Sequence, residues 1–388
     1  MKKRINIAVL GLGRLGYSHT KNLLTEVHGA NVYMVVDPLS GRAKEVAEEF
    51  GIEFHSTKIE DALTHPEVDA VVIVTPTSTH ADIIKSAAYH RKHIFVEKPL
   101  TLNLEESEEV SVAVEKAGII CQVGFMRRFD PGYVDAKRRI DKGEIGRPLY
   151  FKAFTRDPGS PPPEFIKNSG GIFVDCSIHD YDIARYLFNT EITSVAAHGN
   201  VLKYDFMREF NDIDHGLTYV EFANGAIGDM EVSRNSPYGY DIRAEVIGTE
   251  GALFVGDLRE QQVTVLNQGG SHFKVFPNFQ SRFRVAYIEE LKHFIHCIQT
   301  GEKPIVNDRD ATQDLRVALA ATHAYQTGKK SCCRRVCARK KLTYKKEAYN
   351  MRAHLIRLKK GEIGFERFCD SHVSFYCCGD MDFCLSKK

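Results

Sequence analysis

Residues 5–16 read Ile-Asn-Ile-Ala-Val-Leu-Gly-Leu-Gly-Arg-Leu-Gly, an apolar run passing directly into a glycine-rich turn. A short run such as Ile5–Leu10 suits a strand buried on both faces of a parallel sheet. Gly11, Gly13 and Gly16 then stand in the spacing G-x-G-x-x-G, with Arg14 and Leu15 opening a helical pattern that runs to about residue 26. Glycines so placed allow a tight turn and close approach of backbone N–H groups to a pyrophosphate at the helix N-terminus. The hexapeptide alone is not specific. Asn31–Asp37 strengthens it, because this second strand ends in a carboxylate 21 positions after Gly16. Asp37 can accept hydrogen bonds from the adenine-side ribose hydroxyls and would repel a 2′-phosphate, which favours NAD over NADP. Arg42 is close enough in sequence to leave NADP open.

Working outward, strand and helix patterns alternate through residue 125. Asp69–Thr75, His93–Glu97 and Ile119–Phe125 are further strands, separated by helical stretches at 40–50, 79–89 and 104–117. Such alternation predicts an α/β fold with a doubly wound parallel sheet, a Rossmann domain over residues 1–125. The pattern then changes. Leu149–Thr155, Ile192–Ala197, Leu217–Phe222, Ala226–Ser233, Asp241–Ile247, Ala252–Val255 and Gln262–Leu266 are short strands parted by turn residues such as Asn224-Gly225. A second, α+β domain with a large, mostly antiparallel open sheet is therefore expected over residues 126–328, its late helices at 287–300 and 309–327 able to pack back on the first domain.

The chain carries 52 basic and 51 acidic side chains, but 16 and 6 of these fall in residues 329–388, leaving 36 and 45 for the body. Seven of the ten cysteines lie in the same tail. Their spacings match no C-x-x-C pair, so the expectation for 329–388 is a basic, disordered appendage and not a zinc module. Sparse cysteine in the body points to a cytoplasmic protein. No apolar run approaches the ~18 residues of a membrane-spanning helix, and the near-neutral net charge argues against nucleic-acid or membrane partners.

Three further motifs carry chemistry. Thr75-Pro76-Thr77, followed by His80, ends a strand at the carboxyl edge of the first sheet, where such folds bind ligands. It reads either as a loop along the cofactor or as a turn capping the next helix. Glu97-Lys98-Pro99 ends another strand. A lysine just after a buried apolar run can hydrogen-bond a substrate hydroxyl and stabilise a developing alkoxide, and Lys98-Pro99 is a candidate cis bond. Asp175 and His179 are four apart; on one helix they share a face, joined by Asp182. A histidine beside a carboxylate gains proton affinity and suits a general base. The same three side chains are a possible metal set, but hydride transfer to a nicotinamide needs no metal, and none is expected.

The glycine-rich turn, Glu97-Lys98-Pro99 and the Asp175–His179 signature, in this order, resemble the glucose-fructose oxidoreductase/inositol dehydrogenase (Gfo/Idh/MocA) family over about residues 3–328. The resemblance implies Lys98, Asp175 and His179 as catalytic group, with His179 the base, Asp175 its partner and Lys98 the hydroxyl-binding residue. It implies cofactor contacts from Gly11, Gly13, Arg14, Leu15, Gly16, Asp37, Thr75, Thr77, His80 and Glu97, and a homo-oligomer, tetramer or dimer, formed through the open sheet. The segment Gly124–Pro131 resembles the inositol dehydrogenase branch and implies that Arg127 lies near nicotinamide and substrate, with Asp180 and Tyr238 as further substrate contacts. The function implied is NAD-dependent oxidation of a secondary hydroxyl on a small-molecule cyclic polyol, myo- or scyllo-inositol first. A dehydrogenase of another sugar and a non-catalytic, NAD-responsive sugar sensor are the alternatives.

Overall fold

The computed structural model describes residues 4–333. Strands β1 (Ile5–Leu10), β2 (Ala30–Val36), β3 (Phe54–Ser56), β4 (Ala70–Ile73), β5 (His93–Glu97) and β6 (Cys121–Gly124) form one sheet in the order β3-β2-β1-β4-β5-β6. Every neighbouring pair in it is parallel. In this order the winding reverses between β1 and β4, opening a crevice at their carboxyl ends. Ile7–Leu10 and Ala70–Ile73 are sealed on both faces, as their unbroken apolar sequence requires. The edge strand β3 has no such run and is not predicted from its sequence.

One face of this sheet packs against the helices Arg14–Thr25 and Ser40–Phe50. The late helix Arg284–Thr300 returns to the same core, where Leu291, Phe294 and Ile295 join Ile7, Val9, Val72 and Phe95. Phe294 meets Phe95 edge-on with centroids 5.9 Å apart. Truncating a buried phenylalanine of this kind costs about 3–5 kcal/mol, so this long-range contact is a substantial part of the fold's stability.

The second sheet contains β7 (Pro148–Arg156), β8 (Ile192–Asn200), β9 (His215–Phe222), β10 (Ile227–Ser233), β11 (Asp241–Gly248) and β12 (Ala252–Val255). A separate hairpin pairs β13 (Arg259–Asn267) with β14 (Gly270–Val275), and β15 (Ser331–Cys332) adds a short edge to β8. The order is β12-β11-β7-β10-β9-β8-β15, antiparallel except for the pair β7–β10. Asn224-Gly225 makes the turn between β9 and β10, with Gly225 at φ +87°. Side chains alternate along β7 and β9. Phe151, Ala153 and Thr155 of β7 and Thr218, Val220 and Phe222 of β9 are buried, and this layer meets the helices Ile178–Phe188 and Asp308–Thr327. The opposite face is open and carries exposed Leu217, Tyr219, Ile227 and Ile247. The chain thus continues as a strand past residue 328; residues 334–388, which hold nearly all of the expected basic tail, lie outside the described residues.

Candidate active site

The three motif glycines serve different physical needs. Gly11 has φ +90°, and a Cβ there would sit 2.7 Å from the Val74 carbonyl oxygen. A Cβ at Gly16 would lie 1.9 Å from the Gly11 carbonyl oxygen, so the helix Arg14–Thr25 crosses the turn too closely for any side chain. At Gly13 a Cβ would meet nothing within 4 Å. The space above Gly13 is thus left for something other than protein, next to the free N–H groups of a helix with no side-chain cap. This fits a dinucleotide pyrophosphate. Asp37 accepts the Leu12 N–H at 2.8 Å on Oδ2 and the Leu39 N–H at 3.0 Å on Oδ1. Each oxygen keeps a further lone pair for a ribose hydroxyl. Arg42 is tied to the Leu12 carbonyl at 3.0 Å and to Glu45, and lies over the Tyr17 ring.

The neighbouring loops are braced from within. Thr75 Oγ1 and Thr79 Oγ1 share a hydrogen bond of 2.8 Å, and Thr77 opens a 3-10 turn. His80 is fully buried, its ring nitrogens 3.0 Å from the carbonyls of Pro99 and Thr75. Burial lowers its pKa, so the ring is neutral and its single N–H donates to one of these two carbonyls; this residue, expected as a cofactor contact, sits between the Thr75 and Pro99 loops. Glu97 is likewise engaged inside the core, 2.7 Å from His19 Nε2 on the glycine-turn helix. Arg14, also a cofactor candidate, lies over the Phe279 ring, and Leu15 stands beside it at the helix start.

At the carboxyl end of β5 the Lys98-Pro99 bond is cis. Lys98 Nζ donates to the Asp175 carbonyl at 2.7 Å and to Asp175 Oδ1 at 3.1 Å. An ammonium has three donors, so one N–H of Lys98 remains, on a side chain one-fifth exposed. Burial, the largest single influence, pulls the Lys98 pKa down, but Asp175, Cys176 and Glu97 together outweigh it and the net direction is up. Asp175 Oδ2 accepts from Arg234 Nη2 at 2.7 Å. Burial favours the neutral acid, yet Lys98 and Arg234 together hold Asp175 well below the usual carboxylate range. It is an ionised clamp, not a proton acceptor.

The single helical face expected for Asp175, His179 and Asp182 does not exist. The helix breaks into Ile172–Asp175 and Ile178–Phe188. The Asp175 carbonyl, which an uninterrupted helix would offer to the His179 N–H, is taken by Lys98; the His179 N–H turns to the Cys176 carbonyl at 3.3 Å. Asp182 forms a bidentate pair with Arg128, accepting Nη2 on Oδ1 at 2.6 Å and Nε on Oδ2 at 3.1 Å. Among the described residues His179 therefore has no carboxylate partner, and its Nδ1 is buried without a hydrogen bond. The expected rise in its proton affinity is reversed. Burial first, then the positive charges of Lys98 and Arg127, push the His179 pKa well below its ordinary value. It is held as a neutral imidazole, the form a base must have before it receives a proton.

Arg127 and Asp180, expected against substrate, are bonded to each other in full burial, with Thr155 Oγ1 receiving Arg127 Nη2 at 2.9 Å and donating to Asp180 at 2.8 Å. Tyr238 is half exposed and joins Arg156 at 3.1 Å and Asp241 at 2.8 Å. Among the described residues its hydroxyl makes no hydrogen bond to Lys98, Asp175 or His179. Arg234 was not among the expected site residues. It follows β10, and because β10 runs parallel to β7 with Ser233 opposite Arg156, it arrives beside Asp157 and Asp175. Only the pairing of two strands some 70 residues apart would have signalled it.

A doubly wound sheet with a glycine turn open above Gly13 at its switch point and an acid at the end of β2 defines a nicotinamide-dinucleotide oxidoreductase. The helices Ile172–Asp175 and Ile178–Phe188, the second of them packed on the second sheet, bring an aspartate and a histidine to the lysine-bearing edge of that crevice. Residues 5–125 match the oxidoreductase family's NAD-binding Rossmann fold, and residues 137–332 match its C-terminal alpha/beta domain. The chain belongs to the Gfo/Idh/MocA oxidoreductase family. It is 61% identical over 328 residues to scyllo-inositol 2-dehydrogenase (NAD(+)) of Bacillus subtilis, covering 84% of this chain and 96% of that one. To myo-inositol 2-dehydrogenase of Thermotoga maritima it is 37% identical over 320 residues, 82% and 95% of the two chains. Scyllo-inositol dehydrogenase from Lactobacillus casei, solved with bound NAD(H) and scyllo-inositol, superposes with a TM-score of 0.82 at 31% identity over 85% of this chain and 99% of that one.

Proposed function

We propose that this chain oxidises a secondary hydroxyl of scyllo-inositol to the keto-inositol with NAD as acceptor. The observation that carries the reading is the 61% identity to the Bacillus subtilis enzyme of that specificity. The geometry agrees in kind. Gly13 and Asp37 would hold the cofactor, which when bound supplies the hydride acceptor. The remaining N–H of Lys98 would take the substrate oxygen and stabilise negative charge there. His179, neutral and unpaired, would receive the hydroxyl proton, while Asp175 keeps Lys98 charged and aimed. Within this reading residues 1–125 are the cofactor domain, 126–328 the substrate and oligomerisation domain, and 329–388 an appendage without a catalytic part. The exposed Leu217, Tyr219, Ile227 and Ile247 on the open sheet face support a homo-oligomer, a tetramer or dimer, and the low cysteine content of the body supports a cytoplasmic location. Among the described residues no helix is long and apolar enough to cross a membrane.

The specific observation favouring a second substrate is the likeness to the Thermotoga maritima myo-inositol enzyme. Purified protein assayed with NAD and NADP against scyllo-inositol, myo-inositol and glucose separates the readings. The expected order of kcat/KM is scyllo-inositol, then myo-inositol, then glucose, with NAD preferred. Turnover of glucose alone, or dependence on NADP, would overturn it.

A further inference from the structure

Four charged side chains meet where the two sheets approach. Lys98 comes from β5, Asp175 from the short helix Ile172–Asp175, Arg234 from the end of β10 and Asp157 from the end of β7. Two cations and two anions balance, which makes their joint burial tolerable. Their roles differ. Asp175 has one oxygen on each cation: Oδ1 on Lys98 at 3.1 Å and Oδ2 on Arg234 at 2.7 Å. Arg234 is 1% exposed and also faces Asp157 Oδ2 at 3.5 Å, so its planar fork stands between two carboxylates that would otherwise repel each other. The Cys176 thiol adds weaker contacts, 3.6 Å to Asp175 and 3.7 Å to Asp157. The thiol contact with Asp175 also falls on Oδ2, but a thiol is a weak donor, so among the described residues Arg234 supplies the one strong, charged hold on that oxygen. Without Arg234 the carboxylate could rotate about its own bond, and Lys98 would follow it.

We propose that Arg234 is a positioning residue for the reaction: by gripping Asp175 Oδ2 it fixes Oδ1 and the Asp175 carbonyl on Lys98, so that the third ammonium proton keeps a single direction toward the substrate hydroxyl. This inference rests on the polyol-dehydrogenase reading. Arg234 touches neither substrate nor cofactor in this account; its effect passes through Asp175 and Lys98. A point charge at the same place would restore part of the grip, whereas an apolar side chain of similar length would restore none.

The experiment compares wild type, R234M and R234K as full-length protein, with NAD affinity by fluorescence titration as the check on folding. Misaiming a reacting group by about 1 Å costs on the order of 100-fold, so kcat for scyllo-inositol oxidation should fall about 100-fold in R234M while the Kd for NAD stays within about twofold. R234K should recover about tenfold of that loss. The second arm does not need turnover: [4-13C]aspartate labelling, with the Asp175 signal assigned by its absence in D175N. The Asp175 carboxyl should begin to protonate at higher pH in R234M than in wild type. Wild type that oxidises no polyol defeats the function reading, and the labelled carboxyl still judges Arg234. A kcat within about twofold of wild type in R234M, an Asp175 signal unmoved by the substitution, or equal loss of kcat and NAD affinity in R234M and R234K would each overturn the proposal.

Discussion

Gly13→Ala and Gly16→Ala change the same atom count, three residues apart, and should fail in opposite ways. At Gly16 the new Cβ would lie 1.9 Å from the Gly11 carbonyl oxygen. Nonbonded heavy atoms rest about 3.5 Å apart, so the helix Arg14–Thr25 would have to retreat by roughly 1.5 Å. That helix buries Leu23 and His19 in the core, and overpacking of this kind costs about 1–3 kcal/mol. At Gly13 the backbone already sits at φ −64° and ψ −170°, which any residue adopts, and a Cβ meets no protein atom. Replacing glycine there restricts the unfolded chain and should leave stability unchanged or raise it by about 0.4–1 kcal/mol. The methyl would instead stand where the pyrophosphate must approach. An overlap of about 1–3 kcal/mol weakens NAD binding roughly 5- to 150-fold. Urea unfolding without cofactor, beside NAD titration by fluorescence, reads both quantities. G16A should lose stability and affinity together, and G13A affinity alone. A G13A protein that binds NAD as wild type does would refute the placement of the cofactor over this turn.

Arg127→Met leaves Asp180 buried without its cation and should cost about 3–5 kcal/mol in urea unfolding; a loss below about 1 kcal/mol would show that the pair is not the lock described. Lys98→Met should lower kcat by about 10²- to 10³-fold while leaving the Kd for NAD within about twofold, and a large loss of NAD affinity would contradict its assignment to the substrate oxygen. The His179 pKa is depressed below its ordinary 6.5 by burial and by Lys98 and Arg127. The unfolded chain therefore binds this proton first as pH falls, so the stability linked to His179 is complete above pH 6.5 and is lost as pH drops toward the folded-state value. By the same sign the acid limb of kcat/KM should lie below pH 6.5, and a limb above it would contradict a neutral, uncoupled imidazole.

Much of the fold can be read from the chain because parallel strands buried on both faces write themselves as unbroken apolar runs. β1 and β4 are examples, and Asn224-Gly225 announces its hairpin equally plainly. What escaped lacks a local pattern. β3, Phe-His-Ser, is an edge strand held by its neighbour β2, and β14 is exposed along most of its length. At the site, Gly11, Gly13, Gly16, Asp37 and Lys98 are legible because a turn, a strand end or a buried lysine demands those residue types. The relation between Asp175 and His179 was misread because helical spacing assumes an intact helix, and Lys98, 77 positions away, takes the carbonyl that would have continued it. Arg127 and Asp180 are expected against substrate through the resemblance around Gly124–Pro131, not through any spacing. Their partners are each other, 53 positions apart, and no spacing rule reports that.

The central claim is that hydride leaves a carbinol carbon of scyllo-inositol for NAD on this protein. Carbon-deuterated scyllo-inositol, incubated with the purified chain and NAD, tests it in one step when the reduced cofactor is weighed by mass spectrometry. One deuteron should appear in each reduced nicotinamide formed, with a keto-inositol as the other product. Cofactor that binds but stays oxidised with scyllo-inositol, or is reduced without deuterium, would contradict the account.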